Sequence, residues 1–292
     1  MALFDLERVV DRLDFLDPAA GQLQKLISQR IAAGGPVAQR VKDGLNGTWL
    51  GHPLHPALTD VPIGAWTGST LLDLLDHGRG EGLGHAADLL VGIGCASGLA
   101  AAASGVADWH DTYGAERRTG FVHGLLNGAA LGLLGSSLLL RVAGRRRGAR
   151  PFALLGYGLA TFAAFFGGDM VFRMGTQVNR NAWAKGPEDW TEVAADEEVK
   201  DGALLRRRAG DAEIVLTRVG ARLVAVGAVC PHAGGPMDEG KVEDGRIACP
   251  WHGSNFELST GAVCQGPASM ALPIFETRVT ATGQVEVRIP PR

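Results

Sequence analysis

The 292-residue sequence lacks a strong net charge and an N-terminal apolar core. Its formal net charge of −3 gives no support for a nucleic-acid partner, and none is expected. Residues 1–31 alternate charged residues with apolar ones such as Leu3, Leu6 and Val9, so no cleavable signal peptide is expected. The helical spacing predicts an amphipathic helix, which either lies on a membrane surface or packs against neighbouring segments.

Four long segments contain almost no charged residue. They are 54–75, whose only charges are Asp60 and Asp73, and 89–107, 121–140 and 151–168, which have none. A helix of about 20 residues crosses the roughly 30 Å of bilayer hydrocarbon, so the segments predict four transmembrane helices. Buried helices of a soluble protein are the alternative. Small residues recur at every fourth position of the third and fourth segments and predict close helix packing. They are Gly124, Gly128, Gly132 and Ser136 in the third segment and Gly156, Ala160, Ala164 and Gly168 in the fourth.

Two short boxes near the C-terminal end each pair a cysteine with a histidine. Cys230-Pro-His232 and Cys249-Pro-Trp-His252 are separated by sixteen residues. In a Rieske 2Fe-2S cluster two thiolates hold one iron and two neutral imidazoles hold the other, which requires two tight loops. A zinc finger instead groups its cysteines together and its histidines together. The boxes therefore predict four metal ligands, Cys230, His232, Cys249 and His252.

The residues around the boxes strengthen this interpretation. Cys230-Pro-His-Ala-Gly-Gly-Pro, the stretch from Cys249 to Gly261 and Gly-Pro-Ala at 266–268 closely resemble the loops of the Rieske family. The resemblance covers about the last hundred residues and implies three stacked antiparallel sheets, with the cluster held at one tip. Short β-rich runs agree with an all-β domain. They lie at 214–217, 223–226, 274–279 and 285–289.

The sequence differs from the respiratory members of the family in two ways, in the boxes themselves and in the residues after the second box. Those members carry an additional cysteine in each box, joined as a disulfide, where this chain has Gly235 and Trp251. The resemblance therefore moves toward Rieske ferredoxins and the domains that feed oxygenases. After the second box the chain keeps a serine, Ser254, but has Phe256 in place of a tyrosine. Because both hydroxyls donate hydrogen bonds in high-potential members, an intermediate potential is expected.

Further residues limit the chemistry of the chain. Of the two remaining cysteines, Cys95 is expected to be a small buried side chain and Cys264 a strand or loop residue near the cluster, and neither is expected to be a ligand. Rieske oxygenase subunits carry a long catalytic domain after the cluster domain, with two histidines and a carboxylate on iron. Only residues 253–292 follow the second box, so the chain is not expected to be such a catalytic subunit.

The apolar region has a resemblance of its own. Gly51-His-Pro-Leu-His55-Pro, His123-Gly-Leu-Leu-Asn and the stretch 167–175 resemble a bacterial family of four-helix membrane domains without an established function, over about 46–175. Ionisable residues inside a membrane usually face the bundle interior, so four residues are candidates for a polar site. They are His55, Asp60, His123 and Asp169. His55 and His123 can ligate haem b or contact a quinone. Alternatively, His52 and His55 lie in an interfacial turn shaped by Pro53 and Pro56, and His123 hydrogen-bonds within the bundle.

Together these patterns predict an all-α four-helix membrane bundle followed by an all-β Rieske domain of stacked antiparallel sheets. The expected parts are an amphipathic segment, a transmembrane domain, a linker and the Rieske domain, at 1–45, 46–175, 176–188 and 189–292. The expected function is transfer of single electrons between a membrane redox pool or a reductase and a partner redox protein, such as an oxygenase, a reductase or a cytochrome. A membrane binding or transport protein with a Rieske redox sensor is the alternative.

Localisation follows less directly from the sequence. The expected protein is integral to a bacterial inner membrane. Positive charges nearly balance between the two sides of the predicted bundle and do not decide its orientation. Absence of the inter-loop disulfide fits a reducing compartment, so the Rieske domain is expected on the cytoplasmic side.

Overall fold

The computed structural model describes residues 10, 12–76 and 81–291. The chain divides into two compact units. One contains the described residues up to Gln39 together with Leu54–Thr176, and the other contains Arg40–Pro53 and the residues from Gln177 onward. Leu3, Leu6 and Val9, on which the prediction of an amphipathic helix partly rests, lie outside the described residues.

The first unit is built from long helices, and one of them continues into the second unit. The helices are α1 (Asp17–Asn46), α2 (Leu54–Leu75), α3 (Glu81–Trp109), α4 (Gly114–Val142) and α5 (Arg146–Phe172). Helix α1 is broken at Gly35, where φ is 57° and ψ is −145°. Pro36 restarts it, because a proline suits the first helical turn, where its missing N–H has no partner to lose. The predicted helical membrane region is confirmed, but the described residues contain five long helices rather than four.

Three of the helices are long and apolar enough to cross a membrane by length and composition. Within the part of the chain that the structure describes, they are Gly82–Trp109, Gly114–Val142 and Arg146–Phe172. Helix α2 forms where the first span was predicted but is not among the three, and it carries Asp60 and Asp73. Asp60 is exposed, whereas Asp73 is buried.

The buried Asp73 of α2 belongs to an ionic cluster that joins four helices. It pairs with Arg141 of α4, whose side chain is only 1% exposed, and Arg141 also donates to Asp88 of α3 at 2.7 Å. Arg146 binds Asp88 as well. Because a charge this deeply buried is costly unless it is paired, the two carboxylates make the burial of Arg141 tolerable.

Small residues were predicted to allow close helix packing on both α4 and α5, and the structure shows this on α5 but not at Gly124 and Gly128 of α4. A Cβ on Gly156 of α5 would lie 2.8 Å from Leu134 Cγ and 3.0 Å from the carbonyl oxygen of Ala130, both on α4. The backbone approach predicted for this helix is therefore present. Gly124 and Gly128 of α4 instead face open space, so the prediction that they bring helices together within the chain is wrong.

The second unit holds ten antiparallel strands. They are β1 (Thr191–Ala195), β2 (Leu205–Ala209), β3 (Ala212–Val219), β4 (Arg222–Gly227), β5 (Lys241–Glu243), β6 (Arg246–Ala248), β7 (Asn255–Glu257), β8 (Val263–Gln265), β9 (Ile274–Val279) and β10 (Gln284–Arg288). One sheet has the order β1-β10-β9-β4-β3-β2 and the other β5-β6-β7-β8. The sheets are two rather than three, because Ala225 and Val226 of β4 pair with Phe275 and Ile274 of β9 and join six strands into one sheet.

The apolar core of this unit reaches the cysteines of both boxes. Cys230, Cys249 and Phe256 belong to one buried cluster with aliphatic residues of the sheets, such as Val226 and Ile247. Alternating strand residues supply this core, since successive side chains of a strand point to opposite faces. The sheets therefore form a rigid base for the two loops.

Candidate metal centre

The two boxes fold into loops with the same backbone hydrogen bonds. In the first loop Cys230 N donates to Gly235 O at 2.8 Å, and Gly234 N donates to Cys230 O at 2.9 Å. The second loop repeats both bonds at the same spacing from Cys249, to Ser254 O at 2.8 Å and from Gly253 N at 3.1 Å. Each cysteine is thus fixed at the start of a tight turn, as the sequence predicts.

Glycine is needed at equivalent points of both turns. Gly234 has a φ of +84° and Gly253 a φ of +74°, a left-handed conformation that other residues rarely adopt. Gly235 is required for space instead, because a Cβ there would lie 2.7 Å from Cys249 Sγ and 3.2 Å from Trp251 Cγ. Gly235 and Trp251, the positions of the respiratory disulfide, therefore face each other here without a bond. All four cysteines are free.

The two thiols lie against each other in the buried base of the site. The hydrogen bond between Cys230 and Cys249 raises the pKa of Cys230 and lowers the pKa of Cys249 to about 6. Backbone N–H groups also point at both sulfurs. Those of His232 and Ala233 point at Cys230, and those of Trp251 and His252 point at Cys249. N–H donors stabilise thiolate sulfur, which is the form that binds iron.

The two histidine rings lie together on the outer side of the site. Their centroids are 4.9 Å apart and the rings are nearly perpendicular, at 86°. His232 is 5% exposed, His252 is half-buried, and the Trp251 ring beside His252 is 55% exposed. The four predicted ligands therefore meet as a thiol pair below an imidazole pair.

The predicted neighbours of the cluster are fully buried. Ser254 Oγ accepts the N–H of Ala268 at 3.0 Å, which leaves the hydroxyl hydrogen of Ser254 available to a sulfur. Phe256 is 0% exposed and shares its apolar cluster with both cysteines. Cys264 lies on β8 and is exposed, so it packs away from the thiol pair.

Two chain segments outside the β strands brace the loops, and the sequence did not reveal them. Asp43 Oδ1 accepts the N–H of Gly266 at 3.0 Å, just before the Pro267 and Ala268 that adjoin Ser254. In the predicted linker, Arg180 N donates to Pro231 O at 3.2 Å and Asn181 Nδ2 donates to Val229 O at 2.8 Å. No local motif marks Asp43, which lies 223 positions before Gly266. The Asn-Arg-Asn run at 179–181 is the only available signal for the second brace.

The donor set fits an iron–sulfur cluster. Two adjoining thiols, two adjoining imidazoles and converging N–H groups supply the two-plus-two ligation of a Rieske centre, and the absence of a Cβ on Gly235 keeps the space beside Cys249 Sγ open. An all-β domain that presents such a site from two loops defines the class of Rieske electron-transfer domains.

Comparison with known proteins agrees with this class. Residues 189–276 match the family described as Rieske [2Fe-2S] domain, and the chain belongs to this family. Its cofactor is a 2Fe-2S cluster. Residues 51–180 match the family described as Predicted membrane protein (DUF2231).

The relatives match about a third of this chain. The anthranilate 1,2-dioxygenase ferredoxin subunit of Burkholderia cepacia is 32% identical over 101 residues, which are 35% of this chain and 93% of the ferredoxin. Ferredoxin CarAc of Metapseudomonas resinovorans is 32% identical over 31% of this chain and 85% of its own. Apoptosis-inducing factor 3 of Homo sapiens is 30% identical over 32% of this chain, which spans only 16% of that protein.

Among solved structures, one similar chain comes from the complex of reduced oxygenase and oxidized ferredoxin in carbazole 1,9a-dioxygenase. It is 31% identical, and the match covers 35% of this chain and 95% of that one with a TM-score of 0.33.

The predicted polar site of the helical unit is only partly assembled. His55 and His123 lie together, with ring centroids 6.4 Å apart. Asp60 is exposed on α2, so it is wrongly assigned to a buried site. Asp169 is buried and accepts from Arg173 Nε at 2.5 Å on its own helix. Among the described residues of the helical unit, no group of three or more His, Cys, Asp or Glu is arranged to hold a metal ion.

Proposed function

We propose that the chain is a membrane-anchored Rieske protein that passes single electrons between a membrane redox pool or a reductase and a partner redox protein. The observation that carries the proposal is one chain with both a Rieske loop pair and three helices able to span a membrane. Electron transfer by a Rieske centre, without a specified donor or acceptor, follows from the family and its ferredoxin relatives.

In this proposal the four box residues divide the ligation. Cys230 and Cys249 would hold one iron, and His232 and His252 would hold the other through neutral imidazoles. When bound, the cluster accepts and returns one electron at a time. The half-buried His252 and the exposed Trp251 offer the surface through which a partner approaches, because an exposed aromatic ring gives contact area at little entropic cost.

The membrane part of the proposal concerns anchoring and side. The apolar helices fix the protein in a bacterial inner membrane, with parts at 1–45, 46–175, 176–188 and 189–292. A cytoplasmic position of the Rieske domain is supported by the free cysteines and by Gly235 facing Trp251, since a reducing compartment would not maintain a disulfide there. Two of the relatives are ferredoxins, which favours an oxygenase or a reductase as the class of partner.

Electron transfer by the intact protein in lipid vesicles tests the proposal. Vesicles are supplied with a short-chain quinol or, separately, with NADH and a ferredoxin reductase, and cytochrome c reduction is followed. With one of the two donors, the wild-type protein should reduce cytochrome c. This reduction should be lost in Cys249→Ser and kept in Cys264→Ala, because Cys264 is the exposed cysteine outside both boxes. Equal rates in the wild type and in Cys249→Ser would contradict electron transfer through the cluster.

A further inference from the structure

Two histidines in the helical unit occupy matching environments on different helix pairs. His55 of α2 bonds through Nδ1 to the carbonyl oxygen of Ala101 on α3 at 2.8 Å. His123 of α4 bonds through Nδ1 to the carbonyl oxygen of Ala163 on α5 at 2.9 Å. The same side-chain arrangement is thus built twice, once from each pair of sequential helices.

The helices that receive the two rings carry glycine where each ring lies. A Cβ on Gly105 would be 2.9 Å from His55 Cε1, and a Cβ on Gly167 would be 3.0 Å from His123 Cε1. Each glycine follows the accepting alanine by one helical turn. The two rings therefore lie flush on neighbouring helix backbones, and any larger residue at either glycine would displace its histidine.

The hydrogen bonds fix the tautomer of both rings. A backbone carbonyl only accepts hydrogen bonds, so Nδ1 must carry the proton in each histidine, and Nε2 of the neutral ring keeps a lone pair. Asn127 Nδ2, a donor, lies 3.2 Å from His123 Nε2 and 3.4 Å from its Nδ1, so this amide must turn away when Nε2 binds a metal. Histidines that bind metals typically donate their second N–H to a carbonyl or carboxylate in the same way.

The two rings also have a suitable separation. Their centroids are 6.4 Å apart and their planes are nearly perpendicular, at 89°. Two imidazoles on opposite sides of one metal ion, with His N–metal bonds of ~2.1 Å, have ring centroids separated by roughly 6.5 Å. A simple hydrogen-bonding role for either histidine needs neither this separation nor a matching partner.

We propose that His55 and His123 are the two axial ligands of a metal centre, either a haem iron or a single transition-metal ion, held between the helix pairs. Cofactor sites of helix bundles are typically built from inward-facing side chains of different helices. This centre goes beyond the proposed electron transfer through the Rieske cluster, because it depends on a different unit and on none of the box residues.

Spectroscopy and metal analysis of the intact, detergent-purified protein test the proposal. The chain is produced in cells supplied with a haem precursor, and a second portion of purified protein is titrated with haemin and, separately, with Cu²⁺. A haem centre should give a low-spin Soret band and about one haem per chain, whereas a metal-ion centre should give about one tightly bound copper ion instead. Absence of both, or tight binding of a quinone alone, would overturn the proposal.

Three substitutions separate ligation from general damage. His55→Ala and His123→Ala should each abolish the low-spin spectrum or the tight copper binding, whereas His52→Ala should retain it, because His52 is exposed and its Nδ1 bonds to the carbonyl oxygen of Pro53. Added imidazole should restore the spectrum of His123→Ala. Retention of the centre in both alanine variants would overturn the assignment. The Rieske resonance, measured in the same samples, should be unchanged, so failure of this centre is distinguishable from failure of the proposed electron transfer.

Glycine substitution gives a second variant that keeps both histidines. Gly105→Ala and Gly167→Ala should each weaken haemin or Cu²⁺ binding at least tenfold, because the added Cβ displaces a ring. Gly64→Ala is the matched control, since it lies on a helix and faces open space. Equal binding by all three glycine variants would contradict the geometry of the site.

Discussion

Removal of the Ser254 hydroxyl should lower the redox potential of the cluster. Ser254 is fully buried, and its oxygen already accepts the N–H of Ala268 at 3.0 Å, which leaves its proton to be donated. A hydrogen bond to sulfur stabilises the reduced, more negative cluster over the oxidised one. Ser254→Ala removes this donor without changing any of the four predicted ligands.

The expected decrease follows from the strength of one such bond. A hydrogen bond to a charged group contributes about 1.5–3 kcal/mol, and roughly half of this is expected to distinguish the two redox states. A difference of about 0.75–1.5 kcal/mol corresponds to about 33–65 mV for a one-electron couple. The same substitution leaves the buried N–H of Ala268 without its acceptor and should cost about 1–3 kcal/mol of unfolding free energy.

Protein-film voltammetry of the full-length protein measures the potential, and chemical denaturation measures the stability. Ser254→Thr keeps a hydroxyl and should retain most of the potential. Ser259→Ala removes a hydroxyl that donates to Glu257 and should change the potential by less than about 10 mV, which is a sixth of one tenfold step. An unchanged potential in Ser254→Ala would refute this account of the hydrogen bonding.

Four further substitutions and one fragment test the site and its braces. His232→Ala and His252→Ala should each abolish the native cluster, and a wild-type reduced resonance in either would contradict the ligand assignment. Gly235→Ala should lower cluster content, since its Cβ would lie 2.7 Å from Cys249 Sγ; full iron content would contradict the close contact. Asp43→Asn keeps the acceptor for the Gly266 N–H but removes a negative charge, so the potential should rise, and a fall would contradict the brace. The fragment 187–292 should be soluble and hold the cluster with lower thermal stability than the full chain, because it lacks both braces; equal stability would show that they contribute nothing.

The ligands of the metal centre could be predicted because the residues that form each loop lie close together in the sequence. Each box carries its ligands within four residues, and the glycine of each turn is in the same short run, so the sequence alone predicts two equivalent loops. The prediction that Ser254 donates a hydrogen bond to the cluster rests on the same proximity. The structure adds the matched backbone hydrogen bonds and the face-to-face position of Gly235 and Trp251.

The remaining features depend on contacts between distant residues. The single pairing of β4 with β9 decides whether the domain has two sheets or three, and short strands give no sequence signal for it. The bond from Gly266 to Asp43 likewise joins residues that no motif relates. In the helical unit, hydropathy located the helices, but it did not show which side of α4 Gly124 faces or that Asp60 is exposed.

The most direct test of a membrane-anchored Rieske protein is electron paramagnetic resonance of fractionated cells that produce the full chain. After reduction, the Rieske resonance should sediment with membranes that have been washed in alkaline carbonate, and it should be absent from membranes that contain His232→Ala. A Rieske resonance found in the soluble fraction, with none in the washed membranes, would contradict the account.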